Sequence, residues 1–432
     1  MYNVDKEEWS EIMRGIRIPT RKKMSINKVV EFRKPNEIYI PLICDEDTDI
    51  TVIPKVGSYV YKGDIVGNNK GKIKKFIHSS ISGKVKSIEY KMLLNGSSVK
   101  CLIIENDFKE QVTEVKGVKD NIRDYSKKEF IDIIKKAGVS GMSGSGIPTY
   151  TKYDTKEKIK TLIINAVECE PYITADYINI KTKIKDILET IDAIMEINKI
   201  DNCIIGVKKN NKELIKFINQ YIGTYLNIKI VKVPDLYPMG WERTLVKETT
   251  GLSYDKSPIE KNIIVNNITT IYSIYRVLKT GLPTLERVLT LSGEGFKKTT
   301  NILVKIGTPI EEILDEFKLK NKELVLVSGG PMMGCNFPTT NTMVTKNMNA
   351  ILALIPLDRI ETSCIRCGKC INSCPAGLYP VLIKDSRFNK NKLTKLHPEK
   401  CIECGLCSYI CPARIDLRQA VKESQEFLKG DK

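Results

Sequence analysis

Residues 363–377 read SCIRCGKCINSCPAG, and residues 400–414 read KCIECGLCSYICPAR. Both runs are C-x-x-C-x-x-C-x-x-x-C-P, and no other segment of the chain repeats in this way. Three thiolates spaced three residues apart wrap one face of a cubane iron-sulfur cluster, while the fourth lies beyond its reach. Zinc also takes four thiolates from paired C-x-x-C units, but it needs neither the third evenly spaced cysteine nor the following proline. Two complete copies therefore point to iron and sulfide and to single-electron chemistry.

The spacing is that of bacterial two-cluster ferredoxins, in which the fourth cysteine of each run ligates the other cluster. Cys364, Cys367, Cys370 and Cys411 are expected to hold one [4Fe-4S] cluster, and Cys374, Cys401, Cys404 and Cys407 the second. Gly368 and Gly405 stand at the same place in both runs, where tolerance of positive φ lets the backbone curl round the metal. Pro375 and Pro412 stop each run from continuing locally.

The remaining five of 13 cysteines, Cys44, Cys101, Cys169, Cys203 and Cys335, are scattered along 432 residues. Clustering of the other eight reads as metal ligation in a reducing compartment, not as a disulfide framework. The length implies several compact units. The formal charge is +17, but the basic residues are dispersed, mostly Lys, and lack a nucleic-acid-binding signature. That charge suits acidic redox partners or phosphate cofactors. The opening MYNVDKEEWSEIMRG has no apolar signal core, and no apolar run approaches the roughly 18 residues that span a bilayer. A cytoplasmic protein is expected, docking at most peripherally on the inner face of a membrane.

Working outward from the cysteines, residues 283–345 contain RVLTLSGEGFKKTTNILVKIGTPIEEIL and ELVLVSGG, which read as a small β-grasp module of the soluble-ligand-binding (SLBB) type. Residues 120–282 alternate helix and strand: FIDIIKKAG, TLIINAV, IKTKIKDILETIDAIMEI, CIIGVKK, NKELIKFINQYI and IKIVKV. That alternation implies a mostly parallel, doubly wound, Rossmann-like sheet. Residues 30–110 read as short strands with turns at Gly57, Gly63 and Gly83, and VGSYVYKGDIVG followed by SGKV resembles a barrel-sandwich hybrid without its carrier lysine. The cluster domain occupies residues 355–425.

GVSGMSGSGIPTYTKY, residues 138–153, is a glycine-rich loop, but it precedes a strand where the dinucleotide fingerprint would follow one. The next strand ends in NAVECEPYITAD, placing Asn165, Glu168 and Glu170 at the C-terminal sheet edge, where open α/β folds bind ligands. IIVNNITTIYSIY does the same with Asn266, Asn267 and Thr269. Polar strand ends beside a glycine loop and Lys152 suit a flavin, with N–H groups and a lysine for its phosphate and amides for its ring edge.

The loop, N-A-x-E-x-E-P, V-N-N-x-x-T, SGGPMMG and the double cysteine motif together resemble the RnfC component of the Rnf electron-transport complex, itself similar to the flavin-bearing, NADH-oxidising subunit of respiratory complex I. The resemblance runs from about residue 35 to 415. It implies a hybrid motif, a Rossmann-like FMN domain, a β-grasp domain and a two-cluster ferredoxin domain. FMN would contact Gly141, Gly144, Gly146, Lys152, Asn165, Glu168, Asn266 and Asn267, with Glu170 and Glu242 on the nicotinamide-nucleotide side. NADH as substrate and a redox partner protein, either a terminal reductase or membrane Rnf subunits, follow from the same resemblance.

Three positions depart from the family pattern. Ser143 stands for a glycine and Ile147 for a phenylalanine in the loop, and YPMGWE puts Trp241 where a glycine is usual. These changes resemble a divergent Rnf-like branch that includes the electron-transfer protein associated with clostridial proline reductase. They leave open a relay that takes electrons from another protein without oxidising NADH. Cys169 and Cys335 are candidate redox thiols with the alternative of plain packing; His78 and His397 support no catalytic-base argument, and hydride chemistry on a flavin requires no such base.

Overall fold

The computed structural model describes residues 14–430 except 26–28, 33, 44–49, 116, 145, 321–322 and 357–359. Cys44 lies outside the described residues.

In the N-terminal unit, an antiparallel sheet of Glu37–Pro41, Ser98–Asn106, Gly83–Met92 and Tyr59–Val60 faces a three-stranded sheet of Ile50–Val52, Ile65–Asn69 and Phe76–His78. Alternate side chains such as Ile38, Ile40, Val85, Leu102 and Ile104 turn inward to a common core. This is the barrel-sandwich hybrid that the strand alternation predicts. Gly83 holds φ at 157° where a Cβ would collide with the Glu105 carbonyl oxygen, so only glycine lets these strands pair.

The second unit is a parallel sheet in the order Ile228–Val233, Asn202–Lys208, Thr161–Asn165, Ile263–Asn267. Leu162, Ile163 and Ile164 are fully buried, as expected for a central strand covered on both faces. Helices Ala175–Asn198, Lys212–Ile222 and Ile268–Thr280 belong to the same layered core. The register sets Asn165 beside both Gly206 and Asn267, so the polar strand ends arrive at one edge together.

A mixed six-stranded sheet follows, in the order Val29–Glu31, Thr300–Lys305, Glu286–Ser292, Ala350–Leu354, Val325–Ser328, Cys335–Asn336. It reaches past the 283–345 span read from the sequence. Ala350–Leu354 is buried between two strands of that span, and Val29–Glu31 crosses over from the N-terminal side to its edge. Local patterning assigns an edge strand to the unit it adjoins in sequence, whereas pairing is decided by the free edge available.

The cysteine segment folds into short helices, Lys369–Asn372, Pro380–Asp385, Lys390–Leu396 and Leu406–Ile410, closed by Leu417–Gly430. No helix among the described residues is long and apolar enough to cross a membrane.

Candidate functional site

The C-terminal edge of the parallel sheet opens into a cleft of about 620 Å³, within the range usual for cofactor sites. Gly141, Gly144, Lys152, Asn165, Glu168, Glu170, Glu242, Asn266 and Asn267 all line it, whereas Gly146 and Thr269 do not. The far wall is the SGGPMMG segment, with Ser328, Gly330 and Met333 facing the cleft.

The glycine loop is tied down by its own backbone. Gly141 N–H donates to the Ile147 carbonyl at 2.9 Å and Gly146 N–H to the Gly141 carbonyl at 3.2 Å, so these two amides close the loop. Met142 N–H donates to Thr270 Oγ1 at 3.0 Å, and the buried Arg287 guanidinium donates to the Met142 carbonyl. The turn at Ser143 and Gly144 is the open part facing the cleft. A Cβ on Gly144 would meet nothing, whereas its φ of 112° favours glycine. Ile147 points away, 52% exposed.

Carboxylates crowd the same edge, and each is held by a different device. Glu168 sits at φ 40° and accepts from Lys22 Nζ at 2.9 Å and from Asp176 N–H at 2.8 Å. Burial, with Asp176 adding repulsion, pushes its pKa up to about 7. Glu170 accepts from Met332 N–H at 3.2 Å and Met333 N–H at 2.8 Å, and burial pushes it up to about 7 as well. Asp176 accepts from Asn267 Nδ2 at 2.7 Å and from the Thr269 hydroxyl at 2.5 Å. Thr269 therefore serves the cleft indirectly, by fixing Asp176. Glu242 opens the helix Glu242–Thr250, lies 3.7 Å from Lys152 Nζ and accepts from the Tyr254 hydroxyl at 3.0 Å.

Lys152 donates to the Val265 carbonyl at 2.6 Å, and burial lowers its pKa despite Glu242. A buried ammonium gains most from an anion brought into the cleft. Asn165 donates to the Gly240 carbonyl at 2.8 Å, Asn266 donates to the Tyr153 hydroxyl, and Asn267 caps helix Ile268–Thr280 through Thr269 N–H. Cys169 packs against Gly240, where an added Cβ would lie 3.1 Å from its sulfur. Burial raises the Cys169 thiol pKa, so it is not activated, whereas Cys335 is exposed on strand Cys335–Asn336 and lines the cleft.

Several partners escape a reading of the sequence. Lys22 lies in a strap, residues 14–25, ahead of the units read from the sequence. Ile16 pairs with Tyr237, the Thr20 carbonyl accepts from Tyr172 N–H, Ser25 bonds Tyr172 and Thr174, and Arg14 reaches the Ile371 carbonyl beside the cysteines. Only the basic run TRKK marks this stretch. Asp176 and Arg287 give no pattern because their roles depend on contacts across the fold. His78 is buried and its pKa is lowered to about 3 by burial and Lys346, while His397 pairs with Glu399, so neither histidine serves the cleft.

On the far side of the SGGPMMG segment, Cys374, Cys401, Cys404 and Cys407 line one pocket together. Cys364, Cys370 and Cys411 pack with Val381, Ala413, Ile415 and Leu417, and Cys367 of the same set is exposed. The two runs match in detail: Arg366 and Glu403, Gly368 and Gly405, and Gly377 and Arg414 all have positive φ at matching positions. Arg366 N–H and Glu403 N–H each donate to the sulfur two residues back, at 3.4 Å. Among the described residues no three candidate ligands converge on a single ion. Thiolates on separate corners of a cubane stand farther apart than those round one zinc. Cys404 is buried and Cys407 half-buried, so a bound metal centre would keep both as thiolates. Both cysteine sets fit cubanes, and the cleft, with Lys152, its amide edges and an open glycine turn, fits FMN.

Comparison with known proteins agrees with this geometry. Residues 10–109 match the model of the RnfC barrel sandwich hybrid domain, residues 134–276 that of the Nuo51 FMN-binding domain, and residues 363–415 that of a 4Fe-4S dicluster domain. The C component of the proton-translocating ferredoxin:NAD(+) oxidoreductase complex of Clostridium ljungdahlii is 30% identical, over 85% of this chain and 82% of that protein. The Na(+)-translocating counterpart from Acetobacterium woodii is 30% identical, over 86% of each. The chain belongs to the RnfC family.

Not every relative in the RnfC family has this length. The chain spans 46% of the C component of the ion-translocating oxidoreductase complex of Vibrio cholerae, to which it is 34% identical over 80% of its own residues. Among solved structures, an NAD+-reducing [NiFe]-hydrogenase in the H2-reduced state is similar with a TM-score of 0.52 and 14% identity, over 74% of this chain and 65% of that one. That likeness concerns the fold alone. As an RnfC-family chain, it carries an FMN-binding domain and a two-cluster [4Fe-4S] domain.

Proposed function

We propose that this chain passes electrons between NADH and a one-electron protein partner, entering at the cleft and leaving through the two cysteine sets. The observation that carries this reading is a shared wall. Ile402 lines both the cleft and the Cys374, Cys401, Cys404, Cys407 pocket. Ile402 packs with Met332, Tyr237 and Cys404, so the two sites are separated by side chains in contact. FMN supplies conversion of a two-electron hydride into single electrons, and the cubanes carry them singly.

The chain's own residues prepare that exchange. Lys152 and the Ser143–Gly144 turn offer charge and donors for the flavin phosphate, and Asn165, Asn266 and Asn267 edge the ring site. Glu170 and Glu242 face the nicotinamide side. The exposed Cys367 places its set nearest solvent, which makes it the exit towards a partner. That partner is a soluble terminal reductase such as proline reductase, or the integral subunits of a membrane Rnf complex. Retention on membranes after cell breakage separates these two.

Anaerobic purification with iron, sulfide and flavin quantification, followed by NADH titration, tests the proposal. Bleaching of the cluster absorbance by NADH is expected. Flavin-loaded protein whose clusters respond to dithionite but not to NADH would overturn it. One feature favours that second reading, a relay fed by another protein: Trp241 lines the cleft wall between Gly240 and Glu242, where a glycine would leave more room for a nucleotide.

A further inference from the structure

The segment 331–334 has its peptide groups polarised between the two sites. Its amides at Met332 and Met333 point to Glu170 on the cleft side. On the other side, Arg418 donates from Nη1 to the carbonyls of Met332 at 3.1 Å and Gly334 at 3.2 Å, and from Nη2 to that of Met333 at 3.0 Å. Little slack exists around this stack. A Cβ on Gly330 would collide with the Glu170 carboxylate, and one on Gly405 with the Met332 carbonyl.

Arg418 also lines the pocket of Cys374, Cys401, Cys404 and Cys407. It is the second residue of helix Leu417–Gly430, so its charge adds to the partial positive charge of that helix start. A carboxylate beside it there is Glu403, at 3.8 Å. A [4Fe-4S] cluster with four thiolates carries about −2 when oxidised and about −3 after taking one electron. A fixed cation in a partly buried pocket favours the second state, and the opposed Glu403 weakens that preference.

We propose that Arg418 is a positioning residue with two linked tasks: it fixes the 331–334 segment between cleft and cluster, and it raises the reduction potential of the cluster on Cys374, Cys401, Cys404 and Cys407. The inference rests on the clusters and not on the identity of the electron donor. Arg418 lies beyond the 4Fe-4S dicluster match, which ends at residue 415, so the cysteine motif itself says nothing of it.

The test is a mediator titration of full-length, iron-loaded protein, followed by electron paramagnetic resonance, with dithionite as reductant. In R418Q one of the two clusters is expected to lose about tenfold in its reduced-to-oxidised ratio at fixed potential, about 59 mV for one electron, while the other stays put. R418K keeps the charge and should hold that ratio within about threefold, although amide exchange at Met332 and Met333 quickens in both variants. E403Q should move the same cluster in the opposite direction. If R418Q fails to load iron, the E403Q and R418K titrations decide. Unchanged potentials in E403Q, or equal shifts of both clusters in any variant, overturn the proposal. Because dithionite replaces NADH, an NADH-unreactive protein leaves this outcome readable.

Discussion

The hydroxyl of Tyr237 donates to the carbonyl oxygen of Cys404 across 2.6 Å, joining the residue next to the cleft-lining Pro238 to a cluster-binding turn. Tyr237 is 1% exposed, so this bond has no water to replace it. In Tyr237→Phe the Cys404 carbonyl is left without that donor, at a cost of about 1–2 kcal/mol. Differential scanning calorimetry should show a lower unfolding midpoint, with amide exchange accelerated around residues 401–405 and iron content retained.

Gly405 and Gly368 provide a matched pair. Both have φ near 70°, but a Cβ on Gly405 meets the Met332 carbonyl, whereas one on Gly368 meets nothing. Gly368→Ala should cost only the left-handed backbone penalty of about 1–2 kcal/mol. Gly405→Ala adds a collision across the domain junction and is expected to be more damaging. Limited proteolysis would report this as earlier release of the cysteine segment in Gly405→Ala than in Gly368→Ala.

Lys22 and Glu168 are 146 residues apart in sequence and form an ion pair with little exposure on either side. Lys22→Met leaves a buried carboxylate without its cation, a change of about 3 kcal/mol. The loss should be larger at pH 8 than at pH 5, because a protonated Glu168 no longer needs the ammonium. Thermal midpoints and retained flavin at both pH values check this.

Glu168 and Glu170 are each pushed up to about 7 from 4.5. A carboxyl whose pKa is higher in the folded chain binds more protons folded than unfolded, so stability falls as pH rises between those values. Cofactor-free protein should therefore unfold at a lower temperature near pH 8 than near pH 5. Glu170→Gln should flatten that slope, since a neutral amide neither titrates nor carries the buried charge. A slope identical to wild type would show that other groups govern it.

The parallel sheet and the paired cysteine runs are legible in the sequence because their patterns are local. Buried strand TLIIN, the helix after it and a cysteine every third residue each follow from spacing alone. The glycine pattern marks the N–H groups of Gly141 and Gly146 as phosphate donors, but they close their own loop, a choice set by the turn geometry and invisible in composition. Thr269 falls in the ligand site on its strand-end position. It supports the site through Asp176 instead, because the helix start turns its hydroxyl inward. The roles of Lys22, Arg287 and Arg418 have no periodic signature, since each reaches a segment far away in sequence: Glu168, Met142 and Met332–Gly334 respectively.

The strap at residues 14–25 touches the parallel sheet, the mixed sheet through Asn301, and the cysteine segment through Arg14. It behaves as a drawstring whose release would loosen redox components lying hundreds of positions downstream. Excised flavin or cluster fragments would lack it, and a bulky fusion placed just ahead of Arg14 would pull on the electron path itself.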